Sequence, residues 1–158
     1  MSKHRRERMF ETGDIRLLML YFLQQRPAHG YELIKAIEAL SKGEYTPSAS
    51  IIYPNLTFLE EQALIRVSQE EEGKKQYTIT AEGAESLAQQ GELLSTVTER
   101  LHSLAILSNN RSIPEMQRAI NNIRMALNLR LAKGPIEQDT LYKITDALDL
   151  ATKAIERS

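Results

Sequence analysis

Ser50, Pro54 and Thr57 share one face of a helically patterned stretch, TPSASIIYPNLTFLEEQALI at 46–65, with Tyr53 and Phe58 beside them. Hydroxyls, a phenol and apolar groups on one helix face suit contacts with phosphate oxygens, base edges and thymine methyls. The opposite face carries Ile52, Leu56, Leu59 and Ala63 at the spacing of a buried stripe. The outer face therefore either docks on something or lies under a neighbouring element of the same chain. Asn55 lies toward the apolar side, but near the helix start it is a further candidate for an adenine edge.

Other residue types that do chemistry are scattered. His29 stands alone at a helix start, where a histidine is more often a hydrogen-bonding structural residue than a ligand or a base. His4 and His102 lie far away, with no ligand spacing such as H-x-x-x-H. Glu70, Glu71 and Glu72 sit together on a turn, solvated, without the contrasting environments that separate carboxyl pKa values for acid–base work. No P-loop, G-x-S-x-G or G-x-G-x-x-G pattern occurs. With no cysteine, a disulfide framework and a thiolate zinc site are both excluded. An enzyme is not expected, nor a cofactor, nor a metal site.

At 158 residues and 18.0 kDa, the chain has the size of one domain plus an appendage. No apolar run approaches the roughly 20 residues that span a bilayer, so no membrane partner is expected and the expected location is cytoplasmic. The net charge is −1, but the basic groups bunch. Lys3, Arg5, Arg6 and Arg8 face a single acid, Glu7, and Lys74 and Lys75 stand together at a turn. Charge permits a nucleic-acid partner without establishing one.

The elements that must position these groups follow from periodicity. Thr12 is placed to cap a first helix starting near Asp14, with Ile15, Leu18, Met19 and Phe22 as its apolar face. Pro27 breaks it, and a second helix runs from about Gly30 to Leu40 on Leu33, Ile34, Ile37 and Leu40. A loop closes at Ser48 or Ser50, either of which would cap the third helix. After Ala63 the period becomes alternating: Ile65 and Val67, then Tyr77 and Ile79, flank a turn at Gly73 and predict a β-hairpin. Thr80 caps the next helix. Three helices and a hairpin in this order are the layout of a winged helix-turn-helix.

From Ala81 onward the pattern is helical. Leu94, Val97, Leu101 and Leu104 form one stripe, and Met116, Ile120, Ile123 and Leu127 another behind a Ser112–Glu115 capping-box pattern. Leu141, Ile144, Leu148, Ala151 and Ile155 give a heptad-like seam. An intrachain bundle and a homodimer both satisfy these stripes.

The sequence LLMLYFLQQRPAHGYELIKAIE at 17–38, followed by YTPSASIIYPNLTFLEEQALI and GKKQYTITAEGAE, resembles the PadR family of bacterial transcriptional regulators. The matching positions are His29-Gly30-Tyr31-Glu32, Pro47-Ser48, Tyr53-Pro54, Leu56 and Thr80-x-x-Gly83, with Ala49 standing where the family often has glycine. Within the family the stretch is most similar to the nickel- and iron-responsive repressors. Those carry a His- and Cys-rich N-terminal segment, where this chain has one histidine and no cysteine. The resemblance implies a mainly α fold, with a winged helix-turn-helix at 1–80 and a C-terminal helical dimerisation region at 81–158. It implies a homodimeric repressor on a pseudo-palindromic site in double-stranded DNA, released by an unidentified small-molecule or haem-like effector. The candidate DNA contacts are Tyr31, Ser48, Ser50, Tyr53, Pro54, Asn55, Thr57, Lys74, Lys75 and Gln76. The candidate dimer contacts are Leu94, Val97, Leu101, Leu141, Ile144, Leu148, Ala151 and Ile155. The alternative is a winged-helix protein–protein adaptor that does not bind DNA.

Overall fold

The computed structural model describes residues 10–158, in two units that divide between Ser112 and Ile113. The basic cluster at 3–8 and His4 lie outside the described residues.

In the first unit, helix α1 (Thr12–Gln25) runs through the centre. Its buried set, Ile15, Leu17, Leu18, Met19, Leu20 and Leu23, is wider than the single stripe the spacing suggests. A helix that is apolar on most sides is one that neighbours cover from several directions. Phe22 is only half-buried. Glu11 takes the N-cap position, and Asp14 Oδ2 accepts its backbone N–H at 3.0 Å. Arg26 is extended, as the residue before Pro27 should be.

The chain then forms a strand that periodicity did not announce, β1 (Ala28–His29), before helix α2 (Gly30–Leu40). Two residues carry no readable alternation; only the pairing of Ala28 with Tyr77 and His29 with Gln76 makes them a strand. Helix α3 (Ala49–Glu61) comes next, with Ser48 at its N-cap. Pro54 has no amide to offer Ser50, an exposed residue whose carbonyl water can serve.

The hairpin is β2 (Ile65–Glu71) and β3 (Lys74–Ile79), in a sheet of order β1-β3-β2 with antiparallel pairing. Glu72 and Gly73 both have positive φ, 52° and 78°, giving a two-residue turn whose twist matches the strands. The register sets Glu71 opposite Lys74 and Glu70 opposite Lys75, and it shifts between Val67 and Gln69.

Helix α4 (Ala81–Gln89) starts at Thr80, whose hydroxyl accepts the Gly83 N–H at 3.0 Å. Helix α5 (Gly91–Arg111) buries Val97, Leu101, Leu104 and Ala105 in the same core as α1. The first compact unit therefore runs on past residue 80, to Ser112. Leu87 of α4 and Val97, Leu101 and Leu104 of α5 belong to one core with the winged helix. Three polar links tie α5 to this unit: Arg100 to Asp14 at 3.9 Å, Lys42 to Asn109 at 3.0 Å and Arg111 to Glu44 at 3.4 Å.

The second unit is a helical hairpin, α6 (Pro114–Leu131) and α7 (Gln138–Glu156). The expected capping box at Ser112 is not formed. Ile113 occupies the N-cap position, and the Ser112 hydroxyl donates to the Ser108 carbonyl at 2.7 Å. Neither helix buries a single residue. A cleft of about 520 Å³ separates them, lined by Ile123, Leu127, Ile144 and Leu148 among others, with Arg130 and Lys143 at its edge.

Candidate nucleic-acid interface

Helix α3 sorts its residues by face. Ile52, Leu56 and Leu59 are buried at 1% exposure or less, while Ser50, Tyr53, Pro54 and Thr57 face outward, Tyr53 with 47% exposure. The helix is therefore not buried all round, and its outward face carries hydroxyls, a phenol and a proline ring. Ala63 lies beyond the helix in the left-handed region (φ 58°) and is exposed, so it takes no part in the buried stripe. Ser48 is half-buried, its hydroxyl 2.8 Å from that of Ser50. Thr57 donates its hydroxyl hydrogen to the Tyr53 carbonyl at 3.2 Å, which leaves the oxygen as an acceptor.

Two residues sit differently from the expectation. Asn55 is only 6% exposed. Its Nδ2 donates to the Ile51 carbonyl at 2.7 Å and its Oδ1 accepts from Arg16 Nε at 2.8 Å, so both ends of the amide are engaged inside the protein. It anchors α3 to α1 and does not face outward with the other candidates. Phe58 is half-buried, covered by the Arg16 guanidinium at 3.5 Å from its ring centre. Sequence spacing places both near the boundary of the two faces. Only the position of Arg16 on the neighbouring helix decides which side they join.

The wing stands beside α3. Lys74 and Lys75 are exposed, and Gln76 is half-buried with its Oε1 accepting from the Ser68 hydroxyl at 3.1 Å. Tyr31, at the start of α2, is 55% exposed. A hollow of about 250 Å³ brings Tyr31 and Tyr53 together with Lys74 and Lys75, four of the expected contacts from three different elements. Tyr77 forms its inner wall; burial, with Glu60, Tyr53 and Glu70 nearby, pushes its phenol above the ordinary value. That phenol stays protonated at neutral pH. Gly30 makes the arrangement possible: a Cβ there would lie 2.7 Å from the Tyr53 ring.

The candidate dimer contacts divide between the units. Val97 and Leu101 are fully buried in the first unit's core and Leu94 packs against it, so Val97 and Leu101 are consumed by their own fold. In α7, Ile144, Leu148 and Ala151 are half-exposed, and Leu141 and Ile155 are 44% and 72% exposed. Among the described residues no three of His, Cys, Asp or Glu gather into a metal-binding group, and no helix is long and apolar enough to cross a membrane.

A three-helix core, a two-residue strand closing onto a hairpin, and an outward-facing third helix beside two exposed lysines define a winged helix-turn-helix. Residues 19–89 match the model of the transcriptional regulator PadR-like family, and residues 114–156 match that of the YqjI-type transcriptional regulator C-terminal domain. Transcriptional regulator YqjI of Escherichia coli K12 is 42% identical over 147 residues, covering 93% of this chain and 71% of the relative. A YqjI protein of Shigella flexneri matches to the same extent. Among solved structures, a transcriptional regulator from Clostridium thermocellum is 24% identical with a TM-score of 0.48, over 58% of this chain and 89% of that one. The regulator TA0346 from Thermoplasma acidophilum is 31% identical with a TM-score of 0.45, over 58% and 91%. The chain belongs to the PadR-like family of transcriptional regulators, and its second unit is of the YqjI type.

Proposed function

We propose that this chain is a DNA-binding repressor that acts as a homodimer on a pseudo-palindromic operator. The observation that carries this reading is the outward face of Ser50, Tyr53, Pro54 and Thr57 on a helix whose other side is core, next to the exposed Lys74 and Lys75. In this arrangement α3 lies in the major groove, where Tyr53 and the hydroxyls reach base edges, while the wing lysines lie along the phosphates. Two-fold symmetry supplies paired half-sites at helical-turn spacing. An effector that binds more tightly to a dimer with mismatched spacing would release the DNA.

The dimer reading rests on α6 and α7. Their apolar faces lack cover within the unit, and their charges are complementary. Helix α6 carries Arg118, Arg124 and Arg130 against Glu115, whereas α7 carries Asp139, Asp146, Asp149 and Glu156 against Lys143 and Lys153. Among the described residues no ion pair joins the two helices within the chain. Packing α6 of one copy against α7 of another covers the seam and brings opposite charges together.

The test is to recover the genomic fragments the protein retains and titrate binding with salt. Lys74→Ala and Lys75→Ala should weaken all sequences alike, each lowering the slope of log K against log salt by about 1.8 for a dimer, at about 0.9 per phosphate. Tyr53→Ala should instead cost about 1–3 kcal/mol on the cognate site only. Gly30→Ala should behave like Tyr53→Ala. The atoms its Cβ meets are the far end of a side chain that swings aside, so melting should shift by less than about 1 kcal/mol. A wild-type protein that retains no fragment even at low salt would instead be a protein–protein adaptor.

A further inference from the structure

His29 sits between the two elements of the interface and belongs to neither group of expected contacts. It closes β1 and serves as the N-cap residue of α2. Its backbone N–H donates to Glu32 Oε1 at 3.0 Å, so the start of the helix holds it. Its ring lies parallel to that of Tyr31, 5.8 Å centre to centre and 6° apart in plane. Its Nδ1 is 3.0 Å from the carbonyl oxygen of Lys75, across 46 residues of sequence.

A carbonyl oxygen only accepts, so the bond to Lys75 needs the hydrogen on Nδ1, the Nδ1–H tautomer of the neutral ring. The bond fixes the peptide plane between Lys75 and Gln76, and with it the place where the Lys75 side chain leaves the strand. On its other edge Lys75 pairs with Glu70 of β2. β1 and β3 pair through two residues only, Ala28 with Tyr77, both buried in the core, and His29 with Gln76, beside the 250 Å³ hollow. The ladder between β2 and β3 shifts register once, between Val67 and Gln69, and continues on both sides. β1 reaches no farther along β3 than Gln76, so on that edge the His29 ring supplies a tie to Lys75.

We infer that His29 is the positioning residue of the wing: its Nδ1–H bond to the Lys75 carbonyl holds the two wing lysines at a set distance from Tyr31 and Tyr53. This rests on the reading of α3 and the wing as a DNA-binding surface. His29 touches no DNA in this role. It acts through Lys75.

The full-length protein with His29→Ala, His29→Asn and His29→Gln separates the possibilities. Asparagine places its amide nitrogen near the position of Nδ1, whereas glutamine places it near Nε2. His29→Asn should keep wild-type DNA binding. His29→Ala and His29→Gln should bind every sequence more weakly, with a salt slope lower by up to about 1.8, the effect of losing one phosphate contact in each subunit. In the same two variants the backbone amides of 74–79 should exchange with solvent faster, while those in the middle of α1 and α3 should not. Long-range proton–nitrogen NMR of the wild type should show His29 as the Nδ1–H tautomer. An unchanged slope in His29→Ala, or an Nε2–H tautomer in the wild type, overturns the inference while leaving the DNA reading intact. A uniform rise in exchange across the unit would show general loosening, and overturns it too. A wild type that retains no DNA removes both readings together.

Discussion

Gly83→Ala is expected to be the most damaging single methyl in the protein. A Cβ at that position would lie 2.0 Å from the Leu64 carbonyl oxygen and 2.8 Å from Ile79 Cγ1. The first obstacle is backbone, and it is pinned. The Leu64 carbonyl accepts the Thr80 N–H at 3.0 Å, and the preceding Ala63 carbonyl accepts the Thr80 hydroxyl at 2.7 Å. Thr80 in turn caps α4 through the Gly83 amide. The helix cannot back away without breaking its own cap and the last link of the hairpin. Overpacking of this kind costs about 3 kcal/mol, which for a unit of this size is roughly 15 °C of melting temperature. Thermal unfolding followed by circular dichroism checks it. Gly13→Ala is the control: nothing lies within 4 Å of its Cβ position, so the change should be at most about 1 kcal/mol. Equal melting of Gly83→Ala and wild type would mean that α4 crosses the hairpin more loosely than these distances require.

Ile144→Asp combined with Leu148→Asp should give the largest loss of DNA binding of any change outside the interface itself. These side chains lie at the middle of the α7 seam and line the cleft facing α6. Covering each such side chain in a dimer contributes about 1.5–3 kcal/mol, and each is used twice across a two-fold axis. A buried unpaired carboxylate replaces that gain with a large penalty. The variant should sediment at the monomer mass of 18.0 kDa, where the wild type sediments at twice that. Its affinity for a full operator should fall about 10²–10⁴-fold, because the second half-site contact is no longer tethered to the first. Melting of the first unit should be unchanged, since its core includes no residue beyond Leu104 and Ala105. A wild type that stays at 18.0 kDa as concentration rises would refute the homodimer and the palindromic operator together.

These two tests bear on different kinds of information in the chain. The Thr80-x-x-Gly83 step is local. A hydroxyl three residues ahead of a small residue reads as a cap from sequence alone, and so do the helical stripe of α3 and the change of period into the hairpin. The outward face of Ser50, Tyr53, Pro54 and Thr57 comes from the same arithmetic, because a 3.6-residue repeat assigns opposite faces without reference to any neighbour. What periodicity cannot assign is the neighbour. Val97 and Leu101 read as a stripe needing cover, and only the tertiary structure shows that α1 supplies it, which leaves the stripes of α6 and α7 as those without cover in their own unit. Asn55 and Phe58 sit at the edge of α3's two faces. Arg16, 39 residues from Asn55, draws its amide inward and covers the Phe58 ring. His29 looked isolated because its partner, the Lys75 carbonyl, is a backbone group that no side-chain pattern marks. A stripe states that a face will be covered; which element covers it is decided by contacts between residues far apart in the chain.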